Sequence, residues 1–251
     1  MTVKAKLTSQ TVMYVIRICF YEGSHSACKA VGEFLDKVIP GPALAPSAND
    51  DQLATTITQL VHSETVNPTF LLAAATDGEE LARKANNSQL LQYMTARETA
   101  FTELLERGSE STAFKEGMGM EQMWAKKKEI NQFGLIVYRS VEKPELTEID
   151  ERYRQQFFSL SRKTLGEGLK STLNELENHI RGPFCLGAQL SLVDAHVAAW
   201  LTRVVVVSGG TIEGVDKLVS NDFKLGAKVK GLWTAITERA SWRQVYEKGM
   251  F

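Results

Sequence analysis

The sequence is short of cysteine and of net charge, and each shortage excludes a class of protein. Its three cysteines, Cys19, Cys28 and Cys185, are widely spaced. An odd, low count without a paired pattern argues against a disulfide framework and favours a reducing compartment. The 29 basic and 30 acidic residues leave a formal net charge of −1. Nothing in this balance attracts nucleic acid or an anionic membrane surface, so we expect neither as a partner.

Long apolar runs are also missing. The longest run, residues 197–207, is interrupted by Thr202 and Arg203, and it is too short and too polar to span a bilayer. The first residues lack the apolar stretch of a signal peptide. We therefore expect a cytoplasmic protein.

Motifs for metal ions, nucleotides and a nucleophilic serine are absent as well. The sequence contains no CxxC, HExxH, GxGxxG, Walker or GxSxG pattern, and no two histidines have metal-ligand spacing, so we expect no metal site. His62 is expected at the surface beside Glu64. His179 is expected near a helix C-terminus, where a cation is favoured, and His196 in the core with a hydrogen-bond partner.

The first 46 residues have a different character from the rest. Residues 12–21 are β-branched and aromatic, which predicts a strand. Residues 24–38 change to helical spacing and predict a helix capped by Ser24 or Ser26. Three prolines and a glycine within residues 40–46 predict a linker, and hence a domain boundary between residues 46 and 47.

Beyond the linker nearly every segment has helical periodicity. The predicted helices cover residues 51–66, 68–75, 79–107 (capped by Asp77), 111–141 (unbroken, or broken near residues 117–120), 144–180 (opened by Pro144), 192–208 and 223–239.

The segment 182–201 carries the most specific pattern. Ser191 and Asp194 stand three residues apart at a predicted helix start, which is the spacing of a capping box with an acidic residue favoured by the helix dipole. The helix that follows is apolar nearly all round, so it should be the buried central helix of a bundle.

This pattern resembles the C-terminal half of the glutathione transferase superfamily. The phrase GPFxLG…LSxxDxxxAAW within 182–201 is similar to that family's capping box and central helix. The ending over 238–246 resembles the close of the same domain, and His62 followed by Asn67-Pro68 lies on its first helix. The chain is also similar to fungal members linked to secondary metabolism.

The resemblance implies a mainly α fold. It consists of a glutathione-transferase C-terminal-like helical bundle over residues 47–251, preceded by a partial thioredoxin-like segment of strand plus helix over residues 1–46. A complete thioredoxin-like domain is about twice that long, and the part that normally activates glutathione has no counterpart here. The shortened segment would expose sheet edges, which invite pairing, so we expect a homodimer, with the N-terminal segments exchanged or packed across the two-fold.

The resemblance also implies glutathione as the cofactor. The expected cofactor-binding residues are Val12, Glu22, Ser24, His25 and Ser26. Backbone amides at a helix N-terminus beside these serines could hold a carboxylate, and the catalytic candidates are Ser24, His25 and Ser26. Alternatively, the serines only cap a helix and His25 is an exposed loop residue. Cys28, near a helix start, could form a mixed disulfide with glutathione or be inert.

A second group of residues is the candidate substrate site. Tyr93 and Arg97 share one helix face, and Met120 with Trp124 belongs to a soft apolar patch that could bind a hydrophobic substrate. The alternative for the patch is ordinary core packing. The implied function is glutathione-dependent addition of a thiolate to a hydrophobic electrophile, that is, a transferase. The alternatives are a cis/trans isomerase that adds, rotates and eliminates, and a non-catalytic binding or assembly module.

Overall fold

The computed structural model describes residue 44 and residues 47–86, 88–108, 120–220 and 222–246; the side chains of residues 88, 107, 108, 120, 121 and 123 are outside the description. The described residues are mainly α-helical, as predicted. Their β-structure is an isolated bridge between Phe184 and Gly187. The predicted strand 12–21 and helix 24–38 lie outside the described residues.

Eleven α-helices form within the described residues. In chain order they are α1 (Asp51–Val61), α2 (Pro68–Ala73), α3 (Gly78–Ala85), α4 (Ser88–Gly108), α5 (Met120–Arg139), α6 (Glu148–Lys163), α7 (Leu169–His179), α8 (Leu192–Val207), α9 (Gly214–Val219), α10 (Ala227–Thr237) and α11 (Ala240–Val245). Short 3₁₀ turns cover Glu64–Val66 and Ser140–Glu142, and π-type turns cover Thr164–Gly168.

These helices belong to two compact units. One unit contains the described residues up to Leu72 and from Thr164 onward, and the other is Ala73–Lys163. The boundary expected between residues 46 and 47 lies at the edge of the described residues and stays a prediction.

Helix α8 is the centre of the first unit. It packs against α1, α9 and α10, and α7 contacts both α1 and α10. Buried residues on one face of α8 include Val193, Val197 and Trp200, and Ala198 and Thr202 on the opposite side are buried too. Burial nearly all round is what its apolar sequence predicts.

The predicted capping box opens α8. The Asp194 carboxylate accepts the Ser191 N–H at 2.7 Å and the Ser191 hydroxyl at 2.7 Å. Its other oxygen accepts the Cys185 N–H at 2.7 Å. Asp194 has no exposed surface, so the carboxylate is satisfied entirely from inside the protein. It therefore joins the helix start to the turn that precedes it.

Helices α4 and α5 form an antiparallel hairpin in the second unit. The Asn131 amide donates to the Met94 carbonyl at 3.0 Å, and the Phe101 and Trp124 rings lie 5.7 Å apart. The first contact pairs positions 94 and 131 and the second pairs positions 101 and 124, so the two helices run antiparallel. Helix α3 contacts both members of the hairpin, and α6 packs against α5.

The prediction of a single helix over 79–107 is wrong, because one helix ends at Ala85 and the next begins at Ser88. Asp77 caps α3 as predicted, accepting the Glu80 N–H at 2.8 Å. Asn86 then caps its C-terminus. Asparagine competes with the helix by bonding nearby backbone groups and favours helix ends, and a second asparagine, Asn87, follows in the sequence.

The helix predicted over 144–180 also differs at its start. It begins at Glu148, because Thr147 and Asp150 form a second reciprocal box. The Thr147 N–H donates to Asp150 Oδ2 at 3.1 Å, and the Asp150 N–H donates to Thr147 Oγ1 at 3.2 Å. Pro144 lies outside the helix. The π-type turns at Thr164–Gly168 interrupt its interior, where two glycines lower helix propensity.

Asp150 predicts an acid-sensitive contribution to stability. Its hydrogen bond from Lys143 and those from Thr147 lower the pKa of the buried carboxyl from 3.8 to about 2. The ionised form is therefore favoured by folding, so its contribution is complete above about pH 4 and is lost as the pH falls toward 2. Urea unfolding at pH 7, 4 and 3 should show wild type more stable than Asp150→Asn at pH 7, with the difference shrinking at pH 3. A constant difference would contradict this assignment.

Helix α10 begins later than predicted, at Ala227, because a side chain from another helix caps it. Glu177 of α7 accepts the Lys228 N–H at 3.0 Å and the Val229 N–H at 2.9 Å. Its charge suits a helix N-terminus. Gly226 permits this approach, since an added Cβ would overlap the Glu177 carboxylate.

Loss of this cap should weaken the first unit. Glu177→Ala leaves two N–H groups of α10 without their acceptor, so the free energy of unfolding should fall by about 1–2 kcal/mol. Glu175→Ala is the matched control on the same helix, because that side chain is 52% exposed and lies 3.8 Å from His179. Urea titrations should find the control within about 0.5 kcal/mol of wild type; equal losses in both variants would refute the cap.

Candidate functional site

The candidate site lies on the α4–α5 hairpin of the second unit. On α4, Tyr93 and Arg97 are half-buried one turn apart, and Phe101 follows one turn later. The Arg97 guanidinium lies over the Phe101 ring, 4.9 Å from its centroid. Phe101 is buried, so this half-buried cation covers an aromatic surface of the hairpin core.

Helix α5 contributes the other half of the site. The Trp124 ring lies 5.7 Å from the Phe101 ring at an interplanar angle of 47°, and Lys127 Nζ lies over the Trp124 ring, 5.1 Å from its centroid. Arg97, Phe101, Trp124 and Lys127 thus form one connected set of contacts, called here the cation–aromatic cluster. Its two cations are half-buried and its two rings are buried.

Two members of the cluster lack polar partners. Trp124 Nε1 is buried and has no hydrogen-bond acceptor. Within the part of the chain that the structure describes, no ion pair or hydrogen bond involves Arg97. A buried donor left unpaired costs about 1–3 kcal/mol, so this indole N–H needs an explanation.

A carboxylate close by along α4 is already engaged. Glu98 accepts hydrogen bonds from Asn131 Nδ2 at 2.9 Å and from Gln132 Nε2 at 2.8 Å. Lys128 Nζ lies 3.9 Å from it. Glu98 therefore bonds to α5 instead of neutralising Arg97.

The substrate residues expected from the sequence are partly brought together. Arg97 and Trp124 both belong to the cation–aromatic cluster, where Phe101 connects them. Tyr93 lies one turn before Arg97, and Met120 opens α5, but its side chain is outside the description. The cofactor and catalytic candidates are not among the described residues: Val12, Glu22, Ser24, His25 and Ser26.

A histidine pair in the first unit was not anticipated. His62 Nε2 and His196 Nδ1 lie 2.9 Å apart in a hydrogen bond, with the rings nearly perpendicular at 82°. His196 is buried with a partner, as predicted, but His62 is half-buried instead of being an exposed surface residue. The two residues are 134 positions apart, so no local pattern could have joined them. One imidazole must donate and the other must accept.

Cys185 does not supply a reactive thiol. Burial first, and then the neighbouring Asp194, raises the pKa of this thiol far above its usual range. A thiolate is the nucleophilic form of cysteine, so Cys185 is inert. Cys19 and Cys28 lie outside the described residues.

Lys84 in the second unit has the appearance of a reactive amine but a structural role. Burial lowers its pKa, while Glu80 opposes that effect. The Nζ atom donates to the Ala74 carbonyl and lies 3.3 Å from Glu80 Oε1. The amine therefore holds the loop between α2 and α3, with both contacts made inside the protein.

Among the described residues, no group of three histidine, cysteine, aspartate or glutamate side chains has the arrangement of a metal site. No helix in the same part of the chain is long and apolar enough to cross a membrane.

Comparisons with known proteins place these observations in no family: no family model, curated protein or solved structure matches the chain.

Proposed function

We propose that this protein is a glutathione-dependent enzyme that adds the glutathione thiolate to a hydrophobic electrophile. The observation that carries the proposal is the cation–aromatic cluster, because it places Arg97 and Trp124, two of the expected substrate residues, in one set of contacts. Glutathione is the proposed cofactor because the 182–201 segment resembles the helical domain of glutathione transferases. The hydrogen bonds of Asp194 form the capping box on which that resemblance partly rests. A capping box is a folding device, so it carries no information about the reaction.

Within this proposal, the glutathione site belongs to the N-terminal segment. Ser24, His25 and Ser26 are the proposed thiol-activating residues, with Val12 and Glu22 beside the peptide. A homodimer would bring two such segments together. If the adduct is released the enzyme is a transferase, and if it collapses after bond rotation the enzyme is an isomerase.

A non-catalytic binding or assembly module is the second candidate. The state of Cys185 favours it, because this thiol is buried and its pKa is raised. No other free cysteine occurs in the described part of the chain. A module of this kind would bind its ligand without turnover.

Isothermal titration with reduced glutathione separates the two candidates. The wild-type protein is compared with a variant carrying Ser24→Ala, His25→Ala and Ser26→Ala. We expect binding between micromolar and millimolar dissociation constants that the variant loses. A chromogenic aryl halide and a maleyl-type cis-alkene with glutathione then distinguish transfer from isomerisation. No heat at millimolar glutathione would overturn the enzyme proposal and leave the binding module.

A further inference from the structure

An apolar surface runs along neighbouring helices α5 and α6 of the second unit. Ile149 and Leu160 on α6 are 56% and 44% exposed, and Ile130 on α5 is 44% exposed. The half-buried rings of Phe133 on α5 and Tyr153 on α6 lie 5.7 Å apart between centroids and join the two helices. These five residues are called here the α5–α6 face. Exposed apolar side chains grouped on neighbouring helices indicate an interaction surface, whereas scattered single ones do not.

The spacing of the α6 residues places them in one row. Ile149, Tyr153 and Leu160 stand at positions i, i+4 and i+11 of the helix, which is a single stripe on the surface of an α-helix. Phe157 and Ser161 belong to a separate stripe that is buried inside the unit. The exposed stripe therefore lies outside the core that α6 forms with its own unit.

Charges at the two ends of the exposed stripe have opposite signs. Glu145 and Glu148 are exposed at the start of α6, and Arg162 and Lys163 are exposed at its end. Gln156 lies midway along the stripe and is exposed too. If two copies of α6 pack antiparallel, the acidic start of each helix faces the basic end of the other, and the two glutamines meet at the centre. The same signs favour the helix dipole, but the dipole does not require the apolar residues between them.

We infer that the α5–α6 face is the interface of a homodimer, in which two copies pack α6 against α6 antiparallel about a two-fold axis near Gln156. The stripe is complementary to itself under this rotation, which is what an interface between identical surfaces requires. Apolar residues then form the centre of the interface and charged residues form its rim. The inference is independent of glutathione. It differs from a dimer held by exchanged N-terminal segments, because every residue of the face belongs to α5 or α6.

The first test removes the apolar centre. Sedimentation velocity of the full chain across the micromolar range measures the dimer dissociation constant of wild type and of Ile149→Glu/Leu160→Glu. The matched control is Leu104→Glu/Val245→Glu, which makes the same charge change at two apolar residues outside the face, at 39% and 42% exposure. We expect a dimer in wild type and in the control. The face variant should dimerise about a hundredfold more weakly, because charges at the centre of an interface are costly and each substitution occurs twice.

The second test asks whether the face pairs with itself. Glu148→Lys and Lys163→Glu each place like charges opposite one another, so each variant alone should dimerise about tenfold more weakly than wild type. The exchanged variant Glu148→Lys/Lys163→Glu restores opposite charges and should recover the wild-type dissociation constant. An equal mixture of the two single variants should form mixed dimers, because each copy then supplies the charge that the other lacks. Circular dichroism checks that every variant is folded.

Three results would overturn the inference. A wild-type protein that stays monomeric at the highest concentration does not use the face between copies, and another part of the chain or another protein covers it. Equal dissociation of the face and control variants places the dimer contact elsewhere, such as in the N-terminal segments. Failure of both the exchange and the mixture to restore dimers rules out the antiparallel pairing of α6. A protein that dimerises as expected but gives no heat with glutathione has this interface and lacks the proposed enzyme function.

Discussion

Asp194→Ala should lower the free energy of unfolding by about 2–5 kcal/mol, because it leaves the Ser191 and Cys185 N–H groups without acceptors. Both residues are buried, at 7% and 0% exposure, so water does not readily replace the lost carboxylate. This decrease in the free energy of unfolding should exceed the decrease caused by removing a solvent-exposed helix cap. Urea or guanidinium unfolding at pH 7 measures it.

Two further variants make this result specific. Asp194→Asn keeps one acceptor oxygen and should fall between alanine and wild type. Asp222→Ala removes an exposed aspartate from the same unit and should change the free energy of unfolding by no more than about 0.5 kcal/mol. If Asp194→Ala unfolds at the same denaturant concentration as Asp222→Ala, the buried network does not stabilise α8.

Trp200→Ala should destabilise the first unit by about 3–5 kcal/mol. Trp200 has no exposed surface, so truncation leaves a large cavity. Its Nε1 donates to the Val66 carbonyl at 3.1 Å, and that bond fixes the 3₁₀ turn to α8. The free energy of unfolding should be followed by circular dichroism.

Trp242→Ala is the comparison for Trp200. Trp242 packs near the chain end, 5.3 Å from Trp233 and 4.2 Å from Tyr246 between ring centroids, and is half-buried. Substitution of Trp242 by alanine should lower the free energy of unfolding by about 1 kcal/mol. Equal effects at the two tryptophans would mean that the Trp200 environment collapses around the smaller side chain.

Helix caps and helix burial follow from residues that are close together in the sequence, and these features could be predicted. The box at Ser191 and Asp194, the cap at Asp77 and the burial of α8 depend on local spacing and on one apolar helix. The box at Thr147 and Asp150 carries the same three-residue signal, whereas Pro144, expected to open the helix, lies before it. The helix end at Asn86 is hidden in the sequence because the apolar periodicity continues across it.

Features that depend on helix packing were out of reach. Glu177 reaches an α10 amide 51 positions away, and no local pattern indicates it. At the candidate site, Arg97 contacts Phe101 one turn along α4 and Lys127 contacts Trp124 one turn along α5, but the contact that joins Phe101 to Trp124 depends on the register of the α4–α5 hairpin. The glutathione candidates lie outside the described residues and remain predictions.

The cap on α10 has a consequence for how the sequence can change over evolution. Positions 177 and 226 occupy one shared space, since a Cβ at Gly226 would overlap the Glu177 carboxylate. A glutamate at position 177 therefore requires glycine at position 226, and any larger residue at 226 requires a shorter or redirected side chain at 177. The two positions should covary, because a side chain at position 226 displaces the Glu177 carboxylate and removes the cap that favours glutamate at position 177.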